Sequence, residues 1–143
     1  MSEAEPDGVL VADTSAWARA HHIADEWKNA LEGGKIATSE MVALELLYSA
    51  RDGAEFDLRA GQLSLLPQAP VTPAVLSSAR AAFRTLAHRH PLFHRSVTIA
   101  DLVTAAAAAD AGMGVLHYDA DFDVLAEVLG FESRWVAPRA SLD

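Results

Sequence analysis

The chain has 143 residues, 51% hydrophobic and 22% charged, which predicts one globular domain with a sizeable core. It contains no cysteine, which excludes a disulfide framework, thiolate chemistry and a zinc–thiolate site. Its formal net charge of −9 argues against nucleic-acid binding through bulk charge. Its uncharged apolar stretches are shorter than the roughly 20 residues that span a bilayer, so no membrane partner is expected, and the absence of cysteine suits the reducing cytoplasm.

The first predicted element is a short strand at residues 8–12 that ends at Asp13. Its consecutive, Val-rich apolar residues are typical of a strand buried on both faces, as in a parallel sheet. Ligand sites in open α/β sheets lie at the carboxyl ends of strands, so Asp13 is a candidate site residue. Capping of the helix that is expected to begin near Ser15 is the alternative role, and the strand alone does not decide between the two.

Helices and short extended segments alternate through the remaining chain. Helices are predicted at about 15–31, 39–50, 53–61, 73–87, 99–111 and 124–129, and extended segments at 35–37, near 71, at 115–118 and at 135–136. This alternation predicts a single α/β domain with three layers, in which helices cover both faces of a short, mostly parallel sheet. We interpret residues 1–7 as a disordered lead, residues 8–138 as the domain and residues 139–143 as a C-terminal tail.

Four acidic residues occupy positions that can meet at one edge of such a sheet. Asp13 and Asp119 each follow a strand, Asp101 lies in the first turn of a helix, and Glu45 lies beside the apolar stripe of the second helix. Clustered carboxylates repel and become protonated unless a cation is present, and oxygen ligands suit hard ions such as Mg²⁺ and Mn²⁺. The alternatives are a helix-dipole preference for Asp101 and a solvent-facing position for Glu45.

A calcium-binding loop is excluded by spacing. Asp119, Asp121 and Asp123 mimic the first ligands of such a loop. However, Val124 stands where the loop requires glycine, and Gly130 stands where it requires the closing glutamate.

Four segments together form a more specific pattern: VADTSAW at 11–17, LELL at 44–47, VTIADL at 97–102 and LHYDADFD at 116–123. In order, spacing and context they resemble the PIN-domain ribonucleases, and among them the VapC-type toxins of bacterial toxin–antitoxin pairs. The resemblance spans residues 9–136. It implies a PIN-like fold, and it implies that one set of residues is both catalytic and metal-binding: Asp13, Glu45, Asp101 and Asp119. It further implies an auxiliary set: Asp121, Thr14 and Ser15.

The function that this resemblance implies is Mg²⁺-dependent hydrolysis of RNA phosphodiesters, with Mn²⁺ as a possible substitute, by the toxin of a type II toxin–antitoxin pair. Asp13 and Asp101 would be the principal metal ligands, and the products would carry a 5′-phosphate and a 3′-hydroxyl. The implied partners are RNA, a VapB-type antitoxin encoded beside this gene, and a second copy of the chain that packs through helices near the site. The alternatives are a catalytically silent PIN-like interaction module and a structure-selective DNA nuclease.

Two further features bear on this hypothesis. All 20 acidic residues lie outside residues 58–100, and the last basic residues of this acid-free segment are His94 and Arg95, shortly before the helix of Asp101. These two residues are candidates for contacting RNA phosphates, and an ordinary solvated loop is the alternative.

His117 stands where many members of the family have Thr or Ser, which puts in question the hydrogen bonding that supports the acidic residues.

Overall fold

The middle layer of the protein is a four-stranded sheet with the strand order β2-β1-β3-β4, in which every pair of neighbours is parallel. The strands are β1 (Leu10–Ala12), β2 (Ile36–Ala37), β3 (Gly114–His117) and β4 (Ser133–Trp135). This computed structural model describes residues 8–142, so the predicted lead at 1–7 lies outside the described residues, as does the last residue of the predicted tail. Because parallel strands end at the same edge, the residues after β1 and β3 lie side by side.

Within residues 8–142 there are seven α-helices and two short 3-10 helices. The α-helices are α1 (Thr14–Trp17), α2 (Ala24–Glu32), α3 (Glu40–Tyr48), α4 (Gly53–Ser64), α5 (Pro73–Arg89), α6 (Ile99–Asp110) and α7 (Asp121–Leu129), and the 3-10 helices are Ala20–Ile23 and Phe93–Ser96. None of the helices in this range is long and apolar enough to cross a membrane.

The strand residues alternate between two hydrophobic clusters, which lie on opposite faces of the sheet. Val11 and Val115 belong to the larger cluster, together with residues of α3, α5, α6 and α7. Leu10, Ala12 and Leu116 belong to the smaller cluster, together with residues of α1 and α2. Side chains of a strand point to opposite faces in turn, so this division confirms the predicted three-layer α/β architecture.

The predicted helix at 15–31 is wrong as a single element. It divides into α1, a 3-10 turn and α2. The helical spacing of its apolar residues wrongly predicts one continuous helix. In the structure, the rings of Trp17 and Trp27 pack edge to face with their centroids 4.9 Å apart. In one continuous helix, residues ten apart are separated by about 15 Å along the axis. The break brings the two indoles together against the sheet.

Other differences concern the ends of elements. The predicted extended link at 35–37 contains the edge strand β2, which pairs with β1, and the predicted extended segment near 71 contributes instead an isolated bridge from Thr38 to Gln68. Helix α4 continues to Ser64 rather than 61, α7 begins at Asp121 rather than 124, and β4 lies at 133–135 rather than 135–136. The start of α5 agrees with the helix predicted at 73–87, since the Thr72 side chain accepts the N–H of Val75 and caps it.

Candidate active site

Asp13 leaves the sheet at the end of β1 and is only 3% exposed. Its Oδ2 accepts two hydrogen bonds from Ser15, one from the backbone N–H at 3.1 Å and one from the hydroxyl at 2.8 Å. Its Oδ1 is also buried but has no hydrogen-bond partner among residues 8–142. One carboxylate oxygen therefore caps α1, while the other remains without the donor or cation that its burial requires.

Asp101 lies in the first turn of α6, where its N–H is bonded to the hydroxyl of Thr98 at 3.1 Å, and its side chain is 9% exposed. The pKa of the Asp101 carboxyl is raised to about 7, first by burial and then by the negative charges of Asp13, Asp119 and Glu45, which together outweigh a lowering by the Thr98 hydrogen bond. Since Asp101 interacts electrostatically with all three, the structure brings the four predicted acidic residues together.

Asp121 joins the same cluster. One carboxylate oxygen from each of Asp101, Asp119 and Asp121 lies within 4.8 Å of the others. The backbone N–H of Asp121 donates to Oδ1 of Asp119 at 2.9 Å, and burial followed by the charge of Asp119 raises the pKa of the Asp121 carboxyl. Glu45 occupies the solvent side of the cluster, and its pKa is raised by partial burial and then by the charge of Asp13.

These donors fit a divalent hard cation. All of them are carboxylate oxygens, which suit Mg²⁺ and Mn²⁺ better than softer metals. Oδ1 of Asp13 lacks a donor, and the pKa of Asp101 is raised because its neighbours are negative. A bound cation would remove both penalties at once, because it would give the buried oxygen a partner and would neutralise the repulsion.

The two predicted auxiliary hydroxyls have different positions. Besides donating to Asp13, the Ser15 hydroxyl accepts the backbone N–H of Tyr118 at 2.9 Å, so it ties the end of β1 to the segment after β3. Thr14 lies instead along an apolar groove on the side of α1. Of the two, Ser15 is therefore the hydroxyl that contacts an acidic residue of the cluster.

His117 is completely buried at the end of β3. Its Nδ1 accepts the backbone N–H of Asp119 at 3.1 Å, and its Nε2 lies 2.7 Å from the hydroxyl of Ser133. Burial lowers the pKa of the imidazole, so the ring is neutral, and its single proton lies on Nε2 because Nδ1 is an acceptor. A Thr or Ser side chain accepts the same bond from the N–H two residues on, so the departure at His117 preserves this bond to Asp119.

The hydrogen bonds continue from His117 toward β4. The Ser133 hydroxyl donates to Oδ1 of Asp123 at 2.6 Å, and Nε1 of Trp135 donates to the other oxygen of Asp123 at 3.0 Å. Sequence reasoning did not identify Ser133, Asp123 or Trp135 as supporting residues. No local pattern marks them, because the contact between Ser133 and His117 spans 16 residues of chain.

The predicted RNA-contacting residues lie in the second 3-10 helix. Arg95 is exposed, whereas the ring of His94 packs edge-on against Phe83 with centroids 5.1 Å apart. Nδ1 of His94 is buried without a partner in the described part of the chain. Arg95 is therefore the more accessible of the two side chains for a phosphate.

An apolar groove of about 690 Å³ adjoins the acidic cluster. It is lined by residues of α1, α3, α4 and neighbouring turns, chiefly Thr14, Trp17, Leu46, Leu63, Leu65 and Leu66. Leu65 is 84% exposed, and Nε1 of Trp17 is buried with no acceptor among residues 8–142. On α3, Leu44 and Tyr48 form a second exposed apolar patch beside Glu45.

Comparisons with known proteins agree with this architecture. Residues 10–128 match the family model described as PIN domain. Ribonuclease VapC18 of Mycobacterium tuberculosis (strain ATCC 25618 / H37Rv) is 41% identical over 136 residues, which cover 94% of this chain and 99% of that protein. Ribonuclease VapC51 of the same strain is 37% identical over 112 residues, which cover 78% of this chain and 80% of that protein.

Two crystal structures share the fold. DNA-bound VapBC from Salmonella typhimurium matches with a TM-score of 0.70 and 16% identity, over 90% of this chain and 98% of the matched chain. VapBC-5 from Mycobacterium tuberculosis matches with a TM-score of 0.61 and 24% identity, over the same shares of both chains. At these identities, the likeness concerns the fold.

Proposed function

This chain belongs to the PIN domain family, among its VapC ribonucleases, and from that premise we propose that it is a Mg²⁺-dependent endoribonuclease, the toxin of a type II toxin–antitoxin pair. The observation that carries the proposal is the carboxylate cluster around the buried Asp13 and Asp101, in which Oδ1 of Asp13 has no donor within residues 8–142. Burying carboxylates that repel one another lowers the free energy of unfolding, and a catalytically silent interaction module has no function that requires them.

In the proposed mechanism, Asp13 and Asp101 would hold the cation as principal ligands through their carboxylate oxygens. Asp119 and Glu45 complete the set or position the attacking water, and Asp121 supports Asp119 through its backbone N–H. When bound, Mg²⁺ supplies charge neutralisation at the phosphoryl oxygens and the leaving 3′-oxygen, together with activation of a water. Glu45 lies on the exposed side of the cluster, a position from which its carboxylate could accept a proton from an attacking water.

A direct assay tests this function. A single-stranded RNA and a DNA of the same sequence are incubated with the protein and Mg²⁺, with and without EDTA. We expect cleavage of RNA only, with metal, to products carrying a 5′-phosphate and a 3′-hydroxyl, as sequencing of the ends will show. Equal cleavage of DNA would identify a DNA nuclease instead, and RNA binding without cleavage would identify a silent module.

We assign a phosphate contact to Arg95, because an acidic site does not by itself attract RNA. Arg95 is exposed in the 3-10 helix that precedes α6 and lies within the acid-free segment 58–100, with His94 beside it as a second candidate. Long-range attraction of phosphate falls with salt, so such a contact has a measurable salt dependence.

The variant Arg95→Ala should weaken RNA binding for any sequence and reduce the slope of log affinity against log salt by about 0.7 for a single strand. The measurement uses Asp101→Asn as the background, so that RNA is bound but not cut. Arg51→Ala serves as the control, because Arg51 is paired with Glu55 on another part of the surface. A slope for Arg95→Ala equal to that of the control would remove Arg95 from the RNA interface.

We propose a VapB-type antitoxin as the occupant of the apolar groove. Thr14 lines the groove and directly follows Asp13, so a segment that lies in the groove would contact the neighbour of one residue of the acidic cluster. The apolar lining fits an apolar segment, and the carboxylates suit a following arginine.

A second copy of the chain is the proposed partner of the patch on α3. Tyr48 is 92% exposed, and Leu44 lies one turn before it on the same side of the helix. Apolar groups of this size favour burial against a second apolar surface, and the identical patch of another copy provides one around a two-fold axis.

The place of action that fits these partners is the cytoplasm, where RNA and antitoxin are both present.

A further inference from the structure

A continuous chain of hydrogen bonds connects the edge strand β4 to the acidic cluster. Asp123 accepts from the Ser133 hydroxyl at 2.6 Å, Ser133 is in turn 2.7 Å from Nε2 of His117, and Nδ1 of His117 accepts the N–H of Asp119 at 3.1 Å. Each group has one role that is compatible with its neighbours. The proton on Nε2 points to Ser133, the hydroxyl proton points to Asp123, and Nδ1 is left as an acceptor for Asp119.

The chain of bonds is held in place by packing. The imidazole of His117 is stacked on Phe122 with centroids 5.2 Å apart and meets the ring of Trp135 edge-on at 5.1 Å. Trp135 also donates its Nε1–H to Asp123, so both oxygens of that carboxylate are bonded. The ring therefore has one orientation and one tautomer, set by contacts on both of its nitrogens and with two aromatic rings.

Asp119 is constrained at two points as a result. Its backbone N–H is bonded to His117, and its Oδ1 accepts the N–H of Asp121 at 2.9 Å. These two bonds define the turn between β3 and α7. The bond from Asp121 uses Oδ1 of Asp119, so Oδ2 is the oxygen that neither bond involves. Groups that orient a metal ligand from behind typically change metal affinity or activity 10- to 100-fold when they are removed.

We propose that His117, Ser133 and Asp123 are positioning residues for Asp119, which hold its carboxylate in the orientation that binds the catalytic cation. The proposal rests on the proposed function, because it presumes a metal-binding site. It assigns a functional role to β4, a strand of three residues whose Ser133 supplies the connecting hydroxyl. None of the three residues touches the RNA or the cation in this scheme.

Binding of Mn²⁺ to metal-free protein, measured by isothermal titration calorimetry, tests the proposal without reference to activity. In His117→Leu, which removes both ring nitrogens, we expect the dissociation constant to rise about tenfold. In His117→Asn, the amide oxygen can accept the N–H of Asp119 in an Asx turn, so the affinity should return toward the parental value. Ser133→Ala cuts the chain one step away and should give an intermediate loss.

A stability control separates positioning from general damage. Leu125 is fully buried on α7 but belongs to the apolar core, so Leu125→Ala should lower the melting temperature without weakening Mn²⁺ binding. Parental affinity in both His117→Leu and Ser133→Ala would overturn the proposal, as would an equal loss in Leu125→Ala. If the parental protein itself binds no Mn²⁺, the proposed metal site is wrong, and that result is distinct because it needs no variant.

Discussion

Asp101→Asn should lower the rate of RNA cleavage by about 10³-fold, since it removes a principal charge from the site while changing little volume. Metal-assisted stabilisation of a phosphoryl transition state is worth several kcal/mol, and each factor of ten in rate corresponds to about 1.4 kcal/mol. The measurement is single-turnover cleavage at saturating Mg²⁺. Asp57→Asn is the matched control. Because Asp57 is exposed on α4, this variant should cleave RNA at the parental rate.

The same substitution should make the metal-free protein more stable above pH 7. The pKa of Asp101 is raised from its ordinary value of 3.8 to about 7 in the folded protein, so the folded state holds a proton that the unfolded state releases between these values. The free energy of unfolding of the metal-free parent therefore falls as the pH rises from about 4 to 7.

Asparagine carries no charge, so this loss should be absent from Asp101→Asn, which should exceed the parent by about 2–4 kcal/mol at pH 8 and by little at pH 4. Thermal unfolding in EDTA at the two pH values measures the difference. The Thr98 cap is preserved in both proteins because it binds the backbone N–H of residue 101. Parental cleavage by Asp101→Asn, or a variant that is less stable than the parent at pH 8, would contradict the assignment of Asp101.

Expression of the chain without its antitoxin should arrest bacterial growth, and Asp13→Asn should restore growth at equal protein abundance. Asparagine retains a side-chain oxygen that can accept the N–H of Ser15, so the cap of α1 is kept while the metal-binding charge is removed. Optical density after induction reports the arrest, and immunoblotting reports the abundance. Continued arrest by Asp13→Asn at matched abundance would indicate toxicity through binding rather than catalysis.

The antitoxin groove can be tested in the same cells. Leu65→Asp places a charge in the groove and should leave the arrest intact while preventing its relief by the antitoxin encoded beside the gene. Leu58→Asp is the matched control, because Leu58 is also exposed on α4 but does not line the groove. Equal relief of both variants would place the antitoxin elsewhere.

The parts of the site that were predictable from sequence are those that depend on local spacing. Asp13 follows a strand, and Asp101 follows a cap threonine by three residues, so each position is defined by its immediate neighbours. The resemblance to the family then indicated which of the 20 acidic residues belong together. The apolar residues at 15–31, by contrast, are spaced in a way that fits one helix or two. Their spacing does not predict the 3-10 turn that separates α1 from α2.

The sequence by itself determined the α/β alternation, the position of Asp13 after a strand and that of Asp101 in the first turn of a helix, because these follow from contacts within a few residues. Only the tertiary structure decided the surroundings of the carboxylates. It determines which oxygen of Asp13 lacks a donor and why the pKa of Asp101 rises to about 7. It also determines how His117 connects Ser133 to Asp119. Burial and hydrogen bonding of this kind depend on elements that are distant in sequence, such as the bond between Ser15 and Tyr118, which closes 103 residues of chain. Local pattern carries no measure of that desolvation, so its energetic consequences are visible only once the sheet and its helices are packed.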